Sequence, residues 1–203
     1  MLIPFDTLVQ RYSLAITGVL HVGAHAGEEN DAYRKMGVPQ SSIYWVEAIP
    51  DLATALSARL PNVIQAVVSN TEEPVVFRIT NNGQSSSILP LKEHRREHPD
   101  IHVVKEVSMQ TVPLDTLVDT HSIRANFLNM DIQGAELKCL QGFERHIHEV
   151  DYVYTEVNTK ELYEGCAQLL EMDIWLDAHG FERKEITMTP HGWGDAFYMR
   201  RSK

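Results

Sequence analysis

"GVLHVGAHAGEE", residues 18–29, decides the fold. It passes from an apolar run through small residues into paired carboxylates. The run has the length and character of a buried strand, and a helix is expected after the turn. A strand ending on Gly23, followed by His25 and Gly27, puts small residues where backbone comes close to a ligand at the carboxyl edge of a sheet.

Working outward, Ile3, Phe5, Leu8, Val9, Tyr12 and Ile16 recur at helical spacing, which predicts an N-terminal helix within residues 1–17. Downstream, "IYWVEA" (43–48) reads as a second strand and "NVIQAVVS" (62–69) as a third. Between them "IPDLATALSARL" is helical, with Pro50 suited to a first helical turn. Such alternation predicts a parallel sheet with crossover helices.

The segment 71–112 changes character. "PVVFRIT" and "IHVVKEVSMQTV" read as antiparallel strands around a polar loop with a short helix, an insertion of the sort that carries function on a rigid scaffold. Alternation then resumes: "NFLNMDI" and "YVYTEV" as strands, "AELKCLQGF" and "CAQLLEMDIWLDAHG" as helices. "FERKEITM" and "GDAFYMRR", separated by a short turn, should pair antiparallel, so the sheet is mixed. With no repeat, linker or low-complexity tract, the expectation is one domain over residues 1–203.

Composition narrows the function. The formal charge of -10 opposes binding to a phosphate backbone, and "KEHRREH" (92–98) carries two glutamates and no stacking aromatic, so no nucleic-acid partner is expected. Cys139 and Cys166 form neither a disulfide framework nor a thiolate metal site. There is no signal-like N-terminus and no membrane span, so the expected location is cytoplasmic. His94, Glu97 and His98 formally fit a zinc-peptidase pattern, but Pro99 follows directly and no metal site is expected. His146 and His148 stand two apart and do not chelate together.

Glu47 ends the second strand about twenty residues after Gly27, where an acid accepts hydrogen bonds from both ribose hydroxyls. A nucleoside-bearing cofactor is implied. Glu28 and Glu29 beside the turn would repel a pyrophosphate, so a cationic cofactor, S-adenosylmethionine, fits better than NAD. The alternatives are a nucleotide-cofactor oxidoreductase and a non-catalytic nucleoside-binding module.

Here the chain resembles the FkbM-type S-adenosylmethionine-dependent methyltransferases. The pieces that carry the resemblance are "VLHVGAHAGEE", "WVEAIPDL", "NVIQAVVSNTEEPVVF", "NGQSSSIL", "VPLDTLV", "NFLNMDIQGAELKCLQGFE", "YVYTEVN" and "GDAFYMRR", in the family's order. Within "DIQGAE" (131–136) the family usually shows Glu where this chain has Gln133.

The resemblance implies a class I methyltransferase fold: a Rossmann-like, three-layer α/β sandwich, its seven-stranded sheet mostly parallel with the last strand antiparallel. It also implies O-methylation of a hydroxyl on a sugar, glycoconjugate or small natural product. The residues expected at the cofactor are Gly23, His25, Gly27, Glu47, Ser69 and Asp131. Asp131 and Glu156, each ending a strand, are the expected catalytic acids, with Glu156 on the acceptor side. Ser85 and Ser86, followed by Ser87, in the insertion expected to shape the acceptor site, are expected against the acceptor or over the cofactor. Glu136 reads as a helix-dipole acid, and Trp45, Trp175 and Trp193 as packing residues, with Trp193, between Gly192 and Gly194, also placed to rim a pocket.

Overall fold

Val19–Val22 is buried at every position, as is Phe127–Met130, which a strand tolerates only when both sheet faces are covered. A computed structural model describes residues 1–201 and shows how that cover is built. In chain order the elements are α1 (Phe5–Tyr12), β1 (Val19–Val22), α2 (Asn30–Lys35), β2 (Ile43–Glu47), α3 (Pro50–Ser57), β3 (Val63–Gln65) and β4 (Val67–Ser69). There follow β5 (Pro74–Thr80), α4 (His94–Glu97), β6 (Val103–Pro113), α5 (Leu114–His121), β7 (Phe127–Met130) and α6 (Glu136–Gln141). The chain continues through β8 (Tyr152–Asn158), α7 (Leu169–Ala178), β9 (Phe181–Met188) and β10 (Trp193–Arg200).

The main sheet has seven strands in the order β3-β2-β1-β7-β8-β10-β9. Strands β3, β2, β1, β7 and β8 run parallel, and β10 lies antiparallel between β8 and β9. This is the fold class expected from the sequence.

Alternation along each strand sorts the core into two layers. Leu20 and Val22 of β1 pack with Leu117 of α5, Leu140 of α6 and Leu176 of α7. On the other face Val19, Trp45 and Phe127 pack with Phe5 and Leu8 of α1, Tyr33 of α2 and Leu56 of α3.

Two elements differ from the expectation. The N-terminal helix is shorter than the apolar spacing suggested: it starts after Pro4 and stops where Ser13 turns left-handed at φ 50°. The apolar run 62–69 is not one strand. It forks at Ala66, whose N–H donates to the Glu47 carbonyl at 3.1 Å. β3 stays beside β2, while β4 leaves to pair parallel with β6 in a second sheet of order β4-β6-β5, where β5 and β6 run antiparallel as expected.

Candidate functional site

Beyond β1 the chain turns away at Gly23, whose φ of +88° suits glycine alone. The Gly23 and Ala24 amides both donate to the Val46 carbonyl, at 2.9 and 3.0 Å. A Cβ on Gly23 would stand 1.9 Å from the Asp131 carbonyl oxygen, so the ends of β1 and β7 meet only because this residue has no side chain. The close approach anticipated at Gly23 is therefore chain to chain. Gly27 has its own reason: a Cβ there would meet Leu56 Cδ1 at 2.8 Å, so this glycine lets the turn pack on α3.

Two hollows open at this edge and share Gly23, His25, Gln84 and Asp131. The first is a narrow slot with apolar walls, among them Val46, Ile49, Val67, Phe77 and Ile88, and Glu47 at its edge. It opens beside the fork, lined by Ala66 and by Val67 and Val68 of β4. Beside it lies a cavity of about 510 Å³.

Glu47, only 5% exposed, accepts the His25 N–H and the Ile49 N–H, each at 2.7 Å. Its carboxylate thus holds the turn and still has one lone pair on each oxygen. Burial raises its pKa. His25 stands at φ 44°, and its ring donates from Nδ1 to Glu28 Oε1 at 2.7 Å. Its other ring nitrogen lies toward Gly83 of the insertion. The ring props the turn against that loop.

Two cross-strand pairs of polar residues line the wide cavity. His21 pairs with Asn129 across β1 and β7, and Glu156 pairs with Asp195 across β8 and β10. Asp131 is exposed and lines both hollows. The enclosing protein, with Asp195 and Glu29 nearby, lifts its carboxyl to about 6. Glu156 is 6% exposed, and burial, with Asp131, Glu136 and Asp195 close by, raises its carboxyl well above the usual range. Gln133 spans the two: Nε2 lies 2.6 Å from Asp131 Oδ1 and 2.9 Å from Glu156 Oε2.

Glu136 accepts the Ile132 and Gly134 N–H groups at 2.9 and 3.2 Å, closing the turn before α6, and burial raises its carboxyl to about 7. Ser85 and Ser86 sit on opposite sides of the divide, Ser85 in the cavity and Ser86 in the slot. Ser86 Oγ accepts the Thr80 N–H at 3.0 Å, and Ser87 Oγ donates to the Gln133 carbonyl at 2.8 Å. The serines thereby shape the loop and tie it to the 131–136 turn.

Gly23, His25, Glu47, Asp131, Glu156, Ser85 and Ser86 come together at this edge. Ser69 lines neither hollow. The fork carries β4 away, so Ala66, Val67 and Val68 face the slot, while the Ser69 carbonyl packs on Gly142. Gly27 lines neither hollow as well.

His94, Glu97 and His98 do not converge on a point. The His94 and His98 rings pack with centroids 4.8 Å apart, and Glu97 turns to Lys160 at 2.6 Å and His191 at 3.0 Å. Trp193 lines the cavity and also packs against the small cluster of Leu91, Leu162 and Tyr163.

Asp195, Tyr163 and Gln133 complete the site and were not given roles from sequence. Asp195 had a visible signal, an acid inside the apolar alternation of "GDAFYM". Tyr163 lies in a loop and had none.

Among known proteins, the methyltransferase FkbM domain model matches residues 21–183 of this chain. The 2-O-methyltransferase NoeI of Sinorhizobium fredii is 22% identical over 160 residues, 72% of this chain and 65% of that protein. The chain thus spans just under two thirds of that relative's length.

Solved structures of similar fold include a SAM dependent methyltransferase from Aquifex aeolicus (12% identity, TM-score 0.51, covering 97% of this chain and 89% of that one). Others are a ribosomal protein L11 methylase from Lactobacillus delbrueckii subsp. bulgaricus (13%, 0.53, covering 98% and 77%) and a magnesium protoporphyrin IX methyltransferase from Synechocystis PCC 6803 with bound SAM (9%, 0.53, covering 97% and 76%). At these identities the likeness is one of fold.

Proposed function

The chain belongs to the methyltransferase FkbM family, and from that premise we propose that it moves a methyl group from S-adenosylmethionine to a hydroxyl of a carbohydrate or small natural product. The observation that carries the reading is the meeting of an apolar slot and an acid-lined cavity at Asp131.

The donor set fits the cofactor. The slot's apolar walls suit a flat base, and Glu47 at its edge has lone pairs for ribose hydroxyls. Among the described residues that line the two hollows there is no Lys or Arg, whereas Glu28, Glu29, Asp131, Glu156 and Asp195 line the cavity. That field favours a sulfonium and an ammonium and disfavours a pyrophosphate.

The cofactor supplies an electrophilic methyl carbon that a nucleophile attacks in line with the departing sulfur. The protein's work is alignment and proton removal. Asp131, shared by both hollows, faces the cationic end of the cofactor. Glu156, confined to the cavity, takes the proton of the acceptor hydroxyl as the new O–C bond forms and the electron pair of the broken C–S bond stays on sulfur.

The same field speaks to the acceptor. A phosphorylated or carboxylated sugar would enter beside several carboxylates with no Lys or Arg among the described lining residues to meet it, which favours a neutral or cationic acceptor. The 2-O-methyltransferase name of the relative supports oxygen as the nucleophile.

Calorimetric titration with S-adenosylmethionine, S-adenosylhomocysteine and NAD tests the cofactor. The expected result is binding of the first two and none of NAD. Binding of NAD alone overturns the reading. A labelled-methyl screen of neutral, amino and phosphorylated sugars then tests the acceptor.

A further inference from the structure

Gln133 occupies a position that neither cofactor binding nor proton removal has yet used. Its amide nitrogen carries two hydrogens, and both have a carboxylate oxygen in reach, Asp131 Oδ1 at 2.6 Å and Glu156 Oε2 at 2.9 Å. On the opposite side its Oε1 accepts the Tyr163 hydroxyl at 2.5 Å. The phenol on one side and two carboxylates on the other fix which end of the amide faces which. Backbone aims the side chain as well: Gln133 stands at φ 57°, and its carbonyl is held by Ser87 Oγ.

We propose that Gln133 is a positioning residue for the Asp131 and Glu156 carboxyl pair, confining any proton of the pair to Asp131 Oδ2 or Glu156 Oε1 and lowering the pH at which that proton leaves. The inference rests on the proposed reading, in which Glu156 takes the acceptor's proton. The geometry gives the reason: an oxygen accepting an N–H bond from the amide does not also point an O–H at it. Donors shared by two carboxylates favour the ionised form of both.

The surroundings push the other way. Facing the pair are Glu136 from α6, Asp195 from β10, Glu29 from the turn before α2, His21 from β1 and the Tyr154 and Tyr163 phenols. Among the described residues, the α-amino group of Met1 is a nearby cation that favours the charged form of Asp131. Without the amide, two carboxylates this close would retain a proton to higher pH.

The test is a carbon-13 NMR titration of side-chain carboxyls in the ligand-free protein, with resonances assigned from Asp131→Asn and Glu156→Gln. Gln133→Met keeps the length and removes the donors; its Asp131 and Glu156 midpoints should rise by about one pH unit or more. Gln133→Glu should raise them further, and Tyr163→Phe, which frees the amide's far end, should raise them less. Asp119, paired with Arg145 at 2.8 Å and remote from the pair, should titrate as in wild type.

Unchanged midpoints in a folded Gln133→Met protein overturn the proposal, and if that variant does not fold, unchanged midpoints in Gln133→Glu do so. Neither cofactor nor acceptor enters this measurement. A failed cofactor titration would therefore sink the functional reading while leaving the proton result standing.

Discussion

The slot and the cavity share four residues and are built by opposite means. The slot is a consequence of backbone: β3 and β4 part at Ala66, and apolar side chains line the gap. The cavity is a consequence of side chains: register pairs His21 with Asn129 and, further along the strands, Glu156 with Asp195, and Gln133 bridges two acids. The difference teaches that recognition of a flat nucleoside needs shape with one acid, whereas proton handling needs several buried groups adjusting one another.

Substitutions can set the two compartments against each other. Gly23→Ala should break both at once. Its Cβ would strike the Asp131 carbonyl oxygen at 1.9 Å, and its φ of +88° is unsuited to alanine. A loss of about 3 kcal/mol or more is expected, read as a lower Tm together with loss of cofactor binding.

Glu156→Gln should strike the cavity alone. Turnover is expected to fall by roughly 10²–10⁴-fold, while affinity for S-adenosylhomocysteine stays within twofold or so of wild type by calorimetry. The wild-type rate should climb as pH rises through the raised Glu156 pKa, because the base acts only when deprotonated. It should fall as pH drops, and the substitution should remove that limb. Equal turnover would take Glu156 out of the mechanism.

Glu47→Ala should strike the slot alone. It leaves the His25 and Ile49 amides without their acceptor, at a cost of about 1–3 kcal/mol, and cofactor affinity should weaken at least tenfold. Gly27→Ala should spare both compartments. The left-handed φ of +71° and the contact with Leu56 should lower stability by about 1–2 kcal/mol, with cofactor affinity unchanged. A large affinity loss there would return Gly27 to the binding turn.

These contrasts mark what the amino-acid sequence could tell. Position along a strand was legible, because apolar runs end where acids appear: Glu47, Asp131 and Glu156 were all placed at the carboxyl edge, and all three line the site. The antiparallel pairing of β9 and β10 was legible from a short turn between two alternating runs.

What lies sideways to the chain was not. "NVIQAVVS" is interrupted between its ends only by Gln65, and one polar residue does not by itself mark the fork that diverts Ser69. Gly27 has the composition of a ligand turn, yet its neighbour is Leu56, twenty-nine residues on. The partners of Gln133 come from β8, the loop after it and the insertion, and only folding brings them together.

The fork at Ala66 bears on how freely such a chain diverges. A hollow held open by backbone hydrogen bonds is indifferent to which apolar residue stands at Val67, Val68 or Phe77. Drift at those positions alters the contour of the slot and leaves the slot itself in place. The Asp131, Gln133 and Glu156 cluster has no such reserve, since one changed atom there alters the charge of its neighbours. Sequence change should therefore accumulate quickly around the ring-binding half of the edge and slowly around its proton-handling half.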